Sequence, residues 1–473
     1  MSLIERFIGK CEKNRPRITV VGDAMLDQYF DISVERISPE FPIPVMKSSN
    51  TKPTKTLPGG AANVCYQFKH LNVDAALNTL LNFEVEKTLN QYNINTDPCA
   101  KYTDIRIPIK RRYYDGDSPF CRHDIEQENY GLHEFALQSI RNKFINDCKT
   151  EISATTKDLS NDYLILSDYD KGFFKENSEE WTQLGIPTII DPKNGPIEKW
   201  KGCTIFKPNS QEAAKLSSLS NWKDQAIYFL NILQCQSVVI TQSGKGVVGW
   251  DGIAGDFFEY VNPTKKIPRS VIGAGDCFCA FLALAFAHKF NICECAEIAF
   301  KAAASYVDNI HNHPISLYDL MRTEDPYKAK YMMPERGEGK LVFTNGCFDI
   351  LHANHVKMLQ FAKSRGDKLV VALNSDASVR RLKGESRPIV PLKQRIEIVA
   401  ALDCVDFVCA FYEDTPLEII KTIKPDYIVK GGDYRKEEVV GHDLVEEVFI
   451  YDYQSDQSTT KIIEKCNFNV PST

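Results

Sequence analysis

Residues 17–27 read RITVVGDAMLD. An apolar, β-branched run stops at Gly22-Asp23 and leaves two carboxylates, Asp23 and Asp27, just past its end. Similar runs recur at Tyr163–Leu166, Thr188–Ile190 and Val238–Thr241, with helical patterns between them, including Gly60–Leu71 and Glu212–Leu219. Strands that are apolar throughout and alternate with helices predict a mostly parallel sheet covered on both faces. In such a sheet ligands collect beyond the carboxyl ends of the strands. Asp23 and Asp27 are therefore candidate ligand contacts, although Asp23 is equally suited to cap a first helix. Ser33–Lys55 is rich in β-formers and prolines, and with Ile105–Arg112 it predicts a small sheet standing off the main one as a lid. The longest helical patterns of this half, Cys277–His288 and Cys293–Val307, follow a glycine turn, and the alternation fades by Leu320.

The stretch Thr323–Gly339 (TEDPYKAKYMMPERGEG) holds two prolines and two glycines without sustained periodicity, which marks a linker. A second α/β pattern then begins afresh. LVF is a strand, HANHVKMLQFAKSRG a helix, KLVVALN a strand and Leu392–Leu402 a helix; FVCAF, DYIVKGG and VFIYDY are further strands. The expected organisation is one α/β domain over residues 1–322, a linker over 323–339 and a second α/β domain over 340–473.

Composition fits this division. A chain of 473 residues exceeds one ordinary core. Its 25% charged and 43% hydrophobic residues are those of a globular protein. The formal charge of -6 comes from mixed signs without a long basic block. That argues against general nucleic-acid binding and leaves small phosphorylated ligands open, since these need only local positive charge. No apolar segment approaches the roughly 20 residues that span a bilayer. The start, MSLIERFIGKCEKNRPR, reads as an amphipathic lead-in to a cytoplasmic protein, with no long apolar core or small-residue cleavage site. The 15 cysteines are scattered, and the closest pairs, Cys277/Cys279 and Cys293/Cys295, lie in apolar helical runs. There they read as buried free thiols rather than metal ligands.

Two constellations carry chemistry. IGAGD at 272–276 precedes the helical run CFCAFLALAFAH. Small residues at Gly273, Ala274 and Gly275 let backbone N–H groups converge at a helix N-terminus, where they can hold an anion. A carboxylate at Asp276 would repel that anion, so it suits a base taking a proton from an attacking hydroxyl, or a magnesium ligand. The alternative is a tight turn with Asp276 as its N-cap. GGAAN at 59–63 is a second small-residue turn into a helix, and Asn63 and Asp27 would pair naturally with sugar hydroxyls. Lys110, Arg112 and Arg122 either meet a sugar phosphate or form a solvated strand face.

In the second half, TNGCFD at 344–349 is followed by His352 and His355, which three residues of helix would place on one face. A polar turn at a helix N-terminus suits a triphosphate. Two imidazoles there could stabilise charge as an incoming phosphate attacks the α-phosphorus. Zinc, with Cys347 and Asp349 completing the set, is the alternative. Several clusters fall at strand ends: Asn374-Ser375-Asp376, a basic loop with Arg380, Arg381 and Lys383 ending at Gly384, Lys430 to Tyr434, and Ser458 to Lys461 opening a final helix. Arg395 lies on the helix after the basic loop.

VVGDAMLD, the RISPE-FPIPV stretch from Arg36, GGAAN, LSDYDKG (166–172), DPK (191–193), KPNSQEA (207–213), TQSGKG (241–246) and IGAGD resemble, in order, the ribokinase-like (PfkB) sugar kinases. The RISPE stretch resembles their heptose 7-phosphate kinase branch. The resemblance implies that Asp276 is the base for a sugar 1-hydroxyl, with Gly273, Ala274 and Gly275 around the transferring phosphoryl group. It implies that Asn209 and Glu212 position magnesium-ATP, and that Thr241, Ser243 and Gly246 line the nucleotide pocket. Gly59, Gly60, Asn63 and Asp27 would hold the sugar.

TNGCFDILHANH, VALNSDASVRRLKGESRPIVPLKQR, EDTP (413–416), KPDYIVKGGDY and STTKII resemble the HxGH nucleotidyltransferases. That resemblance implies a Rossmann-like domain with His352 and His355 on the ATP phosphates and Lys383 and Arg395 countering phosphate charge. Thr344, Asn345, Gly346, Phe348, Asp376, Gly431, Ser458, Thr459 and Thr460 would surround the nucleotide.

Joined, the halves resemble the bifunctional heptose-phosphate kinase/adenylyltransferases. The resemblance implies phosphorylation of heptose 7-phosphate at O1, then adenylation of heptose 1-phosphate with release of pyrophosphate, each step using ATP and Mg2+. The product would serve lipopolysaccharide or another glycan, and the protein would be a homodimer joined through the kinase half. The chain departs from the pattern at three places. Ser270-Val271-Ile272 stands where the kinases have D-x-T, NTLLNFEVEKTL stands where they have a glycine- and aspartate-containing turn, and Asn354 stands where H-x-G-H has glycine. Two alternatives stay open: a nucleotidyltransferase using ATP or CTP beside a weakened kinase half, or a non-catalytic sensing or scaffolding protein.

Overall fold

The computed structural model describes residues 1–48, 50–96, 106–116, 118–126, 138–139, 142–143, 145–146, 161–174, 179–263, 271–308, 313–325, 329–332, 339–432 and 434–452. Ser270, Ser458, Thr459, Thr460 and parts of the expected linker lie outside these residues. The backbone divides into two compact units, Met1–Leu317 and Tyr318–Thr473.

The strands of the first unit begin with β1 (Arg17–Gly22), β2 (Ala24–Ile37), β3 (Pro44–Lys47), β4 (Lys55–Gly60), β5 (Asp74–Asn78), β6 (Ile109–Asp115) and β7 (Ser118–Ile125). They continue with β8 (Asp162–Ser167), β9 (Thr188–Asp191), β10 (Ile205–Phe206), β11 (Ser237–Thr241), β12 (Gly246–Asp251) and β13 (Asp256–Val261). Eight of them form one sheet in the order β13-β12-β11-β10-β9-β8-β1-β5. It is parallel from β11 to β5, with an antiparallel edge at β12 and β13. Val20, Val21, Ile165, Leu166, Ile189, Ile190, Val238 and Val239 are fully buried. This is why these strands read as unbroken apolar runs: both faces are covered.

The helix Ala274–Ala287 is buried without a break from Asp276 to Ala285. A helix that is apolar all round belongs inside a core, and Cys277 and Cys279 sit there as buried free thiols. Its neighbour is the helix Ile292–Asp308. The helical pattern Gly60–Leu71 is shorter than expected: the α-helix covers Ala61–Tyr66. Beyond it Phe68, Lys69 and Leu71 donate to carbonyls three residues back, a tighter turn that ends the helix.

The lid is larger than the sequence suggested. β2 enters it at Ala24 and pairs with β3, β4 and β6, and β7 completes the sheet. Asp27 is therefore a lid-strand residue, opposite Leu57 and Lys110. The Asp23 side chain caps no helix among the described residues. Its buried carboxylate accepts the backbone N–H groups of Tyr169, Lys171 and Phe173, tying the loop after β8 to the β1–β2 junction.

In the second unit, β14 (Leu341–Gly346), β15 (Lys368–Asn374), β16 (Phe407–Phe411), β17 (Tyr427–Gly431) and β18 (Glu447–Tyr451) form an all-parallel sheet ordered β16-β15-β14-β17-β18. Val342, Leu369, Val371, Leu373 and Val429 pack with Leu359, Ala362 and Val399 to form its core. Strand order runs outward in opposite directions from β14 and β17, so the crevice at their carboxyl ends is the place for a ligand. The expected basic loop is instead a helix, Asp376–Lys383. Ser375 accepts the N–H of Ser378 at its start, and Gly384 (φ 98°) ends it in a conformation that favours glycine. Among the described residues no helix is long and apolar enough to cross a membrane.

Candidate active sites

In the first unit the glycine turn places Asp276 in the first turn of its helix, only 6% exposed. Gly273 has φ 76°. A Cβ there would lie 2.6 Å from the Tyr306 hydroxyl and 2.8 Å from Asn63 Nδ2, so a side chain would displace the groups around the carboxylate. Asn63 Nδ2 donates to Asp276 Oδ2 at 2.6 Å, and the Tyr169 hydroxyl donates to Oδ1. Gln67 Nε2 donates to Asn63 Oδ1 at 3.0 Å, which fixes which way the Asn63 amide faces. Burial pushes the Asp276 carboxyl up, while these two hydrogen bonds and the charges of Lys207 and Lys110 draw it down. A carboxylate so held can receive a proton from a hydroxyl without turning.

Around it the expected sugar-binding residues gather. Arg112 Nη2 meets Asp27 Oδ1 at 2.8 Å, both side chains largely buried. A Cβ on Gly59 would lie 2.9 Å from Asp27 Oδ2, so glycine leaves room for that carboxylate. Burial pushes the Lys110 ammonium down, and the charges of Asp27 and Asp276 offset part of that. Its Nζ stands 5.3 Å from the centre of the Tyr169 ring. Arg122 pairs with its neighbour Asp124 at 2.8 Å on an exposed strand instead.

The expected nucleotide residues converge at the ends of β10 and β11. Asn209 accepts from the N–H groups of Gln211 and Glu212, and Glu212 accepts in return from the N–H of Asn209. This reciprocal cap fixes the start of the helix Ser210–Ser217. Asn209 bridges to Thr241, Ser243 opens the short turn Ser243–Lys245, and Gly246 begins β12. Lys207 forms a buried ion pair with Asp191 at 2.9 Å, and Lys193 pairs with Glu212 at 2.9 Å. Burial pushes the Asp191 carboxyl up to about 6 despite Lys207. The unusual stretch after Leu77 is ordered: Thr79 Oγ1 donates to Gly22 O at 2.6 Å, and Asn82 caps the helix Phe83–Gln91.

In the second unit His352 is the N-cap of the helix Ala353–Lys363 rather than a helical residue. The two imidazoles are nevertheless together, stacked with ring centres 3.8 Å apart and planes inclined by 24°. Phe348 lies 5.1 Å from the His355 ring and is held at φ 46°, a costly conformation for a bulky residue. Burial, reinforced by the neighbouring His352, pushes His355 down to about 4. Nδ1 of each histidine is buried without a hydrogen-bond partner among the described residues, and so is Thr344 Oγ1.

Arg395 is fully buried and spends its donors inside the protein. Nη1 meets Cys347 O at 2.6 Å, Nη2 meets Asp376 Oδ1 at 2.7 Å, and Nε meets Val390 O at 2.9 Å. Asp376 also accepts the N–H of Leu392. This pair braces the turn after β14. Asp349 is likewise committed, to Arg387 and to the N–H groups of Ile389 and Val390. Lys383 is exposed at the end of its helix, whereas Asn354 is buried. Lys430 Nζ reaches Asn345 Oδ1 at 3.0 Å, bringing the ends of β14 and β17 together with Gly346 and Gly431.

Sequence reasoning missed the partners that hold these groups: Tyr169, Gln67, the Lys207–Asp191 pair and the Arg387–Asp349 pair. Tyr169, Lys207 and Asp191 lie in stretches singled out for their resemblance, but nothing local shows which distant residue each one meets.

The folds and sites define a two-part α/β phosphotransferase, a carbohydrate kinase joined to a nucleotidyltransferase. The pfkB family of carbohydrate kinases matches residues 15–310, and the cytidylyltransferase-like family matches residues 343–465. The bifunctional protein HldE of Campylobacter jejuni subsp. jejuni serotype O:2 is 36% identical, covering 96% of this chain and 98% of that protein. Those of Nitratiruptor sp. and Proteus mirabilis are each 34% identical over 95% of this chain. The chain belongs to this family of bifunctional kinase–nucleotidyltransferases. Escherichia coli phosphofructokinase-2 in complex with potassium shares the fold of the first part, with TM-score 0.51 and 18% identity, covering 65% of this chain and 97% of that one.

Proposed function

We propose that the chain catalyses two steps of ADP-heptose formation. The first unit phosphorylates heptose 7-phosphate at O1, giving heptose 1,7-bisphosphate and ADP. The second couples heptose 1-phosphate, left once a separate phosphatase hydrolyses the 7-phosphate, to AMP from ATP, releasing pyrophosphate. The observation that most supports the first step is Asp276, buried at a helix N-terminus and held by Tyr169 and Asn63 in a field that includes Lys110 and Lys207. In this reading Asp276 takes the proton of the 1-hydroxyl, and the backbone of Gly273, Ala274 and Gly275 meets the transferring phosphoryl group. Asp27, Gly59, Gly60 and Asn63 hold the sugar, while Lys110 and Arg112 face its phosphate.

Asn209, Glu212, Thr241, Ser243 and Gly246 form the nucleotide side of the first site. Mg2+ travels with ATP and neutralises phosphate oxygens in both transfers. Asp191 and Glu212, each balanced by a lysine, suit a metal–nucleotide complex. Ile272 supplies no hydroxyl where the kinases have threonine, so the backbone of the turn carries more of the phosphate contact.

In the second unit His352 and His355 stabilise charge on the ATP phosphates and Lys383 adds an exposed cation. Arg395 and Asp376 act by bracing the turn Thr344 to Phe348, and Gly431 leaves the backbone open at the crevice. Residues 1–322 are the kinase domain, 323–339 the linker and 340–473 the transferase domain. The protein acts in the cytoplasm as a homodimer, and the exposed apolar residues Ile37, Phe41 and Ile43 on and beside the lid strands suit that contact.

Mass spectrometry of the products from heptose 7-phosphate and, separately, from heptose 1-phosphate, each with magnesium-ATP, tests the reading. Heptose 1,7-bisphosphate is expected from the first and ADP-heptose from the second, with little sugar nucleotide when CTP replaces ATP. Formation of no bisphosphate, or of no sugar nucleotide with either nucleotide, would overturn it.

A further inference from the structure

We infer that the ammonium group of Lys430 binds a phosphate group in the nucleotidyl-transfer site. The inference rests on the transferase reading above. Lys430 is the penultimate residue of β17, beside Asn345 of β14, the two strands between which the sheet order reverses. Among the described residues its polar contacts are both with Asn345, the amide oxygen at 3.0 Å and the backbone carbonyl at 3.5 Å, and the Tyr434 ring lies 5.8 Å away. Among the described residues no carboxylate pairs with it.

That is unlike four other deeply placed cations. Lys207 pairs with Asp191, Lys199 with Asp168, Arg387 with Asp349 and Arg395 with Asp376. Withdrawing a charge from water without a counter-charge is unfavourable, and burial pushes the Lys430 ammonium down accordingly. Two neutral oxygens hold the group in place without cancelling its charge. An anion entering the crevice at the end of β14 would supply the missing partner, and a lysine gives it a charge that needs no fixed geometry.

The turn that carries Asn345 leads through Phe348 to the His352/His355 pair, so the ammonium and the imidazoles border one turn. The phosphate belongs either to ATP or to the sugar 1-phosphate. The chemistry of recognition is shared, and the substrates separate the two.

The test compares Lys430→Met and Lys430→Arg with the parent chain. Pyrophosphate and ATP binding are read by calorimetry, and KM is measured separately for ATP and for heptose 1-phosphate. The methionine variant should weaken pyrophosphate binding, or raise one KM, by about tenfold or more, and arginine should restore most of the loss. The substrate whose KM moves identifies the phosphate. Phosphorylation of heptose 7-phosphate in the same preparations reports on the first unit, and the circular dichroism of each variant reports on folding. If the methionine variant is misfolded, Lys430→Gln replaces it under the same criterion.

Unchanged binding and unchanged KM values in a folded neutral variant would overturn the inference. So would an arginine variant as impaired as the neutral one, since that marks a packing role. Absence of pyrophosphate release by the parent chain would instead count against the transferase reading, because the calorimetric arm does not depend on turnover.

Discussion

The two sites prepare for charge in opposite ways. In the first unit the proposed base already has its donors: Tyr169 on one oxygen of Asp276 and Asn63 on the other. In the second unit the two imidazoles lie stacked, their Nδ1 atoms without a partner among the described residues, and burial keeps His355 neutral down to about 4. A general base must stay ionised and aimed before its substrate arrives, so fixed donors serve it. Groups that stabilise a polyphosphate gain by remaining unsatisfied until the anion brings the charge that holds them. Preorganisation in one site and unsatisfied donors in the other are two answers to the cost of burying polar groups.

The largest effect should come from removing the proposed base. Asp276→Asn keeps the size of the side chain and should cut ADP formation from heptose 7-phosphate by about a thousandfold. Adenylation of supplied heptose 1-phosphate should continue at the parent rate. Unchanged ADP production would show that Asp276 is not the base.

Next in size, His355→Ala should slow pyrophosphate release from heptose 1-phosphate by at least about tenfold, through loss of a charge-stabilising donor. Phosphorylation in the first unit should be untouched. A variant as fast as the parent would reduce the stacked pair to packing.

Tyr169→Phe sharpens the comparison on the other side. The lost hydrogen bond had favoured the ionised carboxylate against burial, so the Asp276 carboxyl should rise further. The acid limb of kcat/KM for phosphorylation should therefore move to higher pH, with a loss of about tenfold near neutrality. A uniform drop at every pH would mean that Tyr169 only supports the fold.

The smallest effect is a titration shift. In the free protein His355 should stay neutral until pH falls to about 4, against an ordinary value of 6.5. Bound pyrophosphate favours the imidazolium, so its pKa should rise on binding and affinity should increase as pH falls from about 6.5 toward 4. NMR of labelled histidines with and without pyrophosphate measures this, and an unmoved resonance would separate the ring from the anion.

The sheets, the glycine turn at Gly273 and the meeting of His352 with His355 were legible because each depends on local pattern. Apolar strands buried on both faces leave runs such as RITVV, and a helix N-terminus after small residues leaves IGAGD. Helix ends were less legible: Arg380–Lys383 looked like a basic loop because a short helix with one buried face carries few apolar residues. What could not be read was long-range commitment. Arg395 looked like a free cation for phosphate, but its burial beneath the turn turned it into a brace on Cys347. Tyr169 reaches Asp276 across more than a hundred residues of chain, a contact that no local spacing encodes.

The central claim, two separate chemistries on one chain, is tested most directly by counting both by-products, each from its own substrate. The purified protein is given heptose 7-phosphate or heptose 1-phosphate with excess magnesium-ATP, and ADP and pyrophosphate are measured at completion. The account predicts one ADP for each heptose 7-phosphate, and one pyrophosphate for each heptose 1-phosphate, matching the ADP-heptose formed. No ADP from heptose 7-phosphate, with pyrophosphate still appearing from heptose 1-phosphate, would contradict it and leave the transferase as the one working site.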